Sequence, residues 1–187
     1  MSSDDGSSDC WPRRETRPVT VGDVQIGGGA PVSVQTMTKT DTSDVEATLA
    51  QVKRAADVGA DLVRIAVPSL HAVDPFAQIA RAAPIPIIAD VHFDYRIAVE
   101  CAKAGADKLR INPGNIGDDE RVAAVIEAAG DAGIPIRVGV NSGSLEKDLL
   151  GSGGRVTAGA LAESALRTVD RMHRLGFEDL VVSIKAA

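Results

Sequence analysis

The sequence predicts an α/β protein wound as a (β/α)8-type barrel, with six strands visible in 187 residues and a β-hairpin ahead of them. Three observations carry this reading. A unit of helix, glycine, strand and polar stop recurs at intervals of roughly 20 to 45 residues, the mark of a wound α/β array. The strands end in polar residues of one parity, and strand C-termini are where such folds keep their chemistry. The loop after the first strand, Thr38 to Thr42, holds no glycine, whereas an open doubly wound sheet would carry a glycine-rich phosphate fingerprint there. A closed barrel takes eight strands and typically about 250 residues, so the barrel is expected to be incomplete.

The elements follow in order. Residues 1–12 are polar and without periodicity, which predicts a disordered leader before a barrel spanning 13–187. Val19 to Ile26 reads as two short strands around Gly22 and Asp23, a hairpin placed to plug the barrel bottom. Val32 to Met37 is the first barrel strand. Ser43 and Glu46 form a capping box, and Val45, Leu49, Val52, Ala55 and Ala56 give the apolar face of a helix closed by Gly59. A second strand runs through Arg64 and stops at Pro68. A helix from Val73 to Ala82 delivers the run Pro84 to Ile88, whose continuous apolarity suits a parallel strand buried on both faces. Helices are expected at Tyr95 to Lys103, Asp118 to Ala132 and Ala158 to Leu175. Gly105 closes the first of these, Lys108 to Asn112 is the next strand, and Pro113-Gly114 ends it. Strands at Ile134 to Asn141 and Leu180 to Lys185 complete the set, and the glycine-bearing loop from Ser142 to Arg155 is a candidate lid.

Composition bounds the function. A 44% hydrophobic content suffices for one core, no apolar run approaches the roughly 18 residues of a membrane span, and the Ser/Asp-rich start is unlike a signal peptide. A cytoplasmic protein is expected. Cys10 and Cys101 make no disulfide framework and no Cys-x-x-Cys pair. A net charge of -6 and 3% aromatic content argue against nucleic acid as a partner.

Against that acidic background, the strand ends gather Arg64, Asp90, His92, Arg110, Asn112, Arg137, Asn141, Ser183 and Lys185. Guanidinium groups grip phosphate oxygens in a bidentate manner, so arginines on separate strands converging on one rim predict a phosphate or diphosphate ligand. Ion pairing with rim carboxylates is the competing use of each arginine. Asp90 and His92 are a structural or a proton-moving pair. With Asp94 they share a parity that a metal could use, although no further ligand is evident elsewhere. Asn112 and Asn141 are rim ligands or loop caps. Lys185 is an anion contact or a Schiff-base nucleophile, and the latter would make the chain an aldolase of a sugar phosphate. A diphosphate-binding module without chemistry is the remaining alternative.

Several motifs, in one order, carry a resemblance: Pro31 to Thr38, Ala89 to Asp94, Lys108 to Asn115, Arg137 to Lys147 and Ser183 to Lys185. From about Arg13 onward the chain resembles the 4-hydroxy-3-methylbut-2-enyl diphosphate synthases. The resemblance implies a TIM barrel and reductive ring opening of 2-C-methyl-D-erythritol 2,4-cyclodiphosphate in non-mevalonate isoprenoid biosynthesis. It implies Arg64, His92, Arg110, Arg137, Asn141 and Lys185 as ligands of that substrate, with Asp90 and Asn112 in support. It also implies a homodimer, ferredoxin or flavodoxin as electron donor, and a [4Fe-4S] cluster in a C-terminal domain whose ligands are expected to be absent from this chain. The chain departs from the family pattern at Thr36 and Lys39, where Ser and Asn are usual.

Overall fold

Gly22, at φ +58°, turns Val19–Val21 (β1) back onto Val24–Ile26 (β2) as an antiparallel hairpin. After it the chain alternates strand and helix: Gln35–Met37 (β3), Val45–Asp57 (α1), Leu62–Ala66 (β4), Val73–Ala82 (α2), Ile87–Asp90 (β5) and Tyr95–Lys103 (α3). It continues with Lys108–Ile111 (β6), Pro113–Ile116 (α4), Asp119–Ala132 (α5), Ile136–Asn141 (β7), Ala158–Arg174 (α6) and Leu180–Lys185 (β8). This computed structural model describes residues 14–151 and 154–185; the expected leader at 1–12, with Cys10, lies outside them.

The strands β3 to β8 pair in parallel in sequence order, as a wound array requires. The sheet curls. Arg137 Nη1 on β7 reaches within 3.4 Å of Gln35 Oε1 on β3, four places away in the strand order. The result is a six-stranded partial barrel with a lumen. Period two divides each strand between its faces. Val63, Ile65, Ala89, Leu109, Ile111, Ile136 and Val138 face outward and pack with Phe76, Ile79, Ile97, Cys101, Val125 and Met172 from the helices to form the main core. On the lumen face, Leu62 and Ile88 pack with Val21, so the hairpin does plug the bottom, and Val24 and Ile26 extend the seal.

Four of the helices have a side-chain N-cap. Asp94 accepts from Arg96 N, Asp118 from Arg121 N and Thr157 from Ala160 N. On α1 the cap is Asp44, 3.0 Å from Ala47 N, rather than the expected Ser43. Ser43 is taken up one step earlier: its N–H and hydroxyl both donate to Asp41 Oδ1, at 2.9 and 2.7 Å. A carboxylate also suits the positive helix end better than a hydroxyl.

Three further differences bear on the site. The first barrel strand is ladder-bonded only from Gln35, because Val34 N–H is drawn to Asp61 Oδ2 at 2.6 Å. After β6 the chain forms the short α4 where a plain loop was expected; Asn112 carbonyl accepts from Asn115 and Ile116 N–H at 2.9 and 3.2 Å. Proline is favoured in such a first turn. The loop after β7 is fastened rather than free, since Leu145, Leu149 and Leu150 pack with Leu161 and Ala165 of α6 and Asp148 pairs with Arg167 at 2.6 Å.

Among the described residues β3 and β8 have no outer neighbour, and large apolar side chains lie exposed just ahead of β3, Val32 and Val34, and on β8, Val182 and Ile184. Such edges template pairing with other chains. Residues 1–187 expressed alone are therefore expected to self-associate, and Val182→Lys with Ile184→Lys to reduce it, as read by light scattering. A monodisperse monomer with a sharp thermal transition would contradict this.

Candidate anion site in the barrel lumen

Strand register brings the lumen-facing polar residues to two adjacent levels, Arg64 on the lower and Asp90, Arg110 and Arg137 on the upper. Met37 lies opposite Arg64, Ala66 opposite Asp90, Asp90 opposite Arg110 and Arg110 opposite Arg137. All of these except Ala66 line a cavity of about 610 Å³ that opens toward the C-terminal ends of the strands, with His92, Asn141, Ser142, Gly143, Ser183 and Lys185 around its rim. All but one of the residues singled out from sequence meet there. The exception is Asn112. Because the chain turns into α4 immediately after β6, its side chain lines a separate cavity of about 250 Å³ with Asn115, Glu146 and Thr168.

Charge in the lumen is unbalanced. Asp90, 2% exposed, is the one carboxylate lining the main cavity among the described residues. It lies 3.1 Å from Arg110 Nη1 and 3.3 Å from Arg64 Nε, the latter without a directed hydrogen bond. Arg64 turns its Nη2 toward Met37 Sδ at 3.2 Å, a weak acceptor. Arg137 Nε is buried without an acceptor among the described residues, and burial, Arg64 and Arg110 together push its pKa down against the pull of Asp90. Two guanidinium nitrogens are thus desolvated and unsatisfied in a pocket open to a ligand, a costly state unless an acceptor arrives.

His92 Nε2 stands 3.8 Å from Asp90 Oδ1, beyond hydrogen-bond range, with its ring half exposed. Asp94 is turned away from both: it caps α3 and holds Arg96 at 2.7 Å. Asp90, His92 and Asp94 are thus not gathered, and no cluster of three or more His, Cys, Asp or Glu fit for a metal occurs among the described residues.

Two further residues shape the lumen. Lys108, on the same face as Arg110 and one step deeper, is 1% exposed, and its pKa is pushed down to about 8 by burial first and then by Arg137 and Arg64. Its parity with Arg110 was the signal for it in the sequence. Gly139 lies across from Arg110. A Cβ there would come within 3.0 Å of Arg110 Nη2 and 3.3 Å of its Nε, so the absence of a side chain gives the guanidinium its place.

The described helices include none long and apolar enough to cross a membrane. Solved structures that share the fold include dihydropteroate synthase from Yersinia pestis, with TM-score 0.64 and 17% identity over 88% of this chain and 61% of that one. Another is the phospho-2-dehydro-3-deoxyheptonate aldolase of Thermotoga maritima, with TM-score 0.60 and 12% identity over 90% of this chain and 45% of that one. At these identities the likeness is one of fold. In sequence the chain is 55% identical over 175 residues to proteins of Pseudomonas entomophila and Pseudomonas putida named 4-hydroxy-3-methylbut-2-en-1-yl diphosphate synthase (flavodoxin). The match takes in 94% of this chain and 47% of each of theirs, so the chain spans about half the length of these relatives. The family model described as the GcpE TIM-barrel domain matches residues 16–187, and the chain belongs to that family.

Proposed function

We propose that this chain is the substrate-binding barrel of a 4-hydroxy-3-methylbut-2-enyl diphosphate synthase, and that its lumen holds the cyclic diphosphate whose ring is opened by reduction. The observation that carries this reading is the uncompensated positive charge of the lumen: Arg64, Arg110 and Arg137 around a single carboxylate, with two buried Nε groups lacking acceptors. Phosphate oxygens offset that charge and accept bidentate hydrogen bonds from guanidinium groups. Lys185, His92, Asn141 and Ser183 on the rim are in position for the outer phosphate and the hydroxyl groups. Asp90 then acts as the spacer that keeps Arg64 and Arg110 oriented before the ligand enters.

Reductive opening needs electrons, which no side chain of the rim supplies, and a [4Fe-4S] cluster is the cofactor proposed for the whole protein. The described residues do not fit that cluster. Cys101 is fully buried and its thiol is pushed up to about 12 by burial and then by Glu100, so it makes a poor thiolate ligand. Cluster ligands would have to come from outside the described residues, in a homodimer from the partner subunit's C-terminal domain. The name borne by the relatives favours flavodoxin as electron donor over ferredoxin.

The Schiff-base alternative finds less support, since Lys185 is exposed at the strand end and lacks the desolvated pocket such lysines use. Arg110→Ala and Arg137→Ala are each expected to weaken binding of the cyclic diphosphate by about 1.5–3 kcal/mol, the usual size of a charge-assisted contact. Isothermal titration calorimetry of the intact protein measures this. Undiminished affinity in both variants would overturn the anion-site reading.

A further inference from the structure

Lys108 is a buried cation that no role so far explains. On β6 it lies in register with Ile88 of β5, one step below Asp90 and Arg110, and feels Arg137 of β7 and Arg64 of β4, while β3 presents Gln35 and Met37, which carry no charge. Ile88 is itself part of the apolar seal, and Leu62 and Val21 close the lumen on the hairpin side. The charges acting on the ammonium are therefore those of the guanidinium groups.

Resting on the reading of the lumen as a polyanion site, we propose that Lys108 is a positioning residue that holds Arg64 and Arg137 toward the cavity and takes up a proton when a phosphate-bearing anion binds above it. Like charges at close range in a low-dielectric lumen repel strongly, so a protonated Lys108 pushes both guanidiniums away from the floor. Asp90, one step above it on the neighbouring strand, is already shared by Arg64 and Arg110. The empty site consequently disfavours the fourth positive charge, in keeping with the downward push on Lys108 from burial and its two arginine neighbours. An anion of two or more charges in the cavity reverses that balance, because opposite charge nearby favours the protonated amine. Ligand affinity should then fall as pH rises through about 8, with no change on the ligand itself.

The test follows Lys108 directly. In the intact protein, the ¹³Cε and ¹⁵Nζ shifts of Lys108 are recorded from about pH 6 to about 11 at constant ionic strength, with and without saturating inorganic pyrophosphate. The expected result is a midpoint near 8 without the anion, moved up by about one unit or more with it, a roughly tenfold gain in proton affinity. In parallel, sulfate, whose charge is constant over this range, is titrated into wild type, Lys108→Met and Lys108→Arg, each first shown to melt cooperatively. Wild-type affinity should drop roughly tenfold between about pH 7 and 9.5, Lys108→Arg should bind without that drop, and Lys108→Met should bind more weakly and without it. An unmoved midpoint, or the wild-type pH dependence persisting in Lys108→Met, overturns the role of Lys108 while leaving the site intact. Failure of wild type to bind either anion overturns both the role and the site.

Discussion

Asp90→Asn is expected to destabilise the protein by about 3–5 kcal/mol, the cost of leaving buried charge without its partner. The substitution keeps the shape of the side chain and one acceptor oxygen, so it removes little beyond the negative charge. What it leaves is Arg64, Arg110, Arg137 and Lys108 in one lumen with no carboxylate among the cavity's lining residues. Chemical denaturation measures the loss. The same electrostatics predict its remedy: inorganic pyrophosphate should raise the melting temperature of Asp90→Asn more than that of wild type, because the anion then restores balance that wild type partly has. If Asp90→Asn unfolds at the wild-type denaturant concentration, the lumen is not held by this charge balance.

Lys108→Met is expected to act in the opposite direction, stabilising the protein at neutral pH by about 3 kcal/mol, the equivalent of a pKa moved from 10.5 to about 8. The sign follows from linkage. The unfolded chain holds the Lys108 proton more tightly than the folded one, so stability rises with pH wherever the two differ. The penalty is at its full size below pH about 8, fades between 8 and 10.5, and is gone above both values. Methionine fills a similar volume without charge and should lack this trend. Urea unfolding at neutral pH and near pH 10.5 should show the gap between the two proteins closing at the higher pH; a gap of constant size would refute the assignment. A substitution that strengthens the fold while weakening anion binding is the pattern expected where a site stores unfavourable charge for its ligand.

Much of this was legible in the amino-acid order because parallel strands in sequence order make the lumen a matter of parity. Arg64, Asp90, Arg110 and Arg137 could be placed together from the sequence, since each is on the lumen-facing phase of its strand. Depth was not legible. Lys108 shares the phase of Arg110, yet whether it lines the cavity or lies beneath it depends on the curl of the sheet and on the hairpin that seals the bottom. Asn112 misled for the reverse reason: parity held to the end of β6, and the turn into α4 then carried the side chain elsewhere. Glycines suggested a free loop after β7, whereas Leu145, Leu149 and Leu150, read as loop residues, anchor it to α6.

Gly139 has a consequence for how this barrel can vary. A Cβ at position 139 would stand 3.0 Å from the Arg110 guanidinium, so a side chain there obliges the arginine to give by a few tenths of an ångström at the point from which it reaches Asp90. The two positions, 29 residues apart in sequence, are therefore coupled. Drift that replaces the glycine first crowds the arginine, and drift that shortens the arginine first relieves the constraint on the glycine. A lineage of this fold that took a different, uncharged ligand would be recognisable by the paired loss. In such a lineage a bulky residue on the seventh strand would stand where this protein keeps only a hydrogen atom.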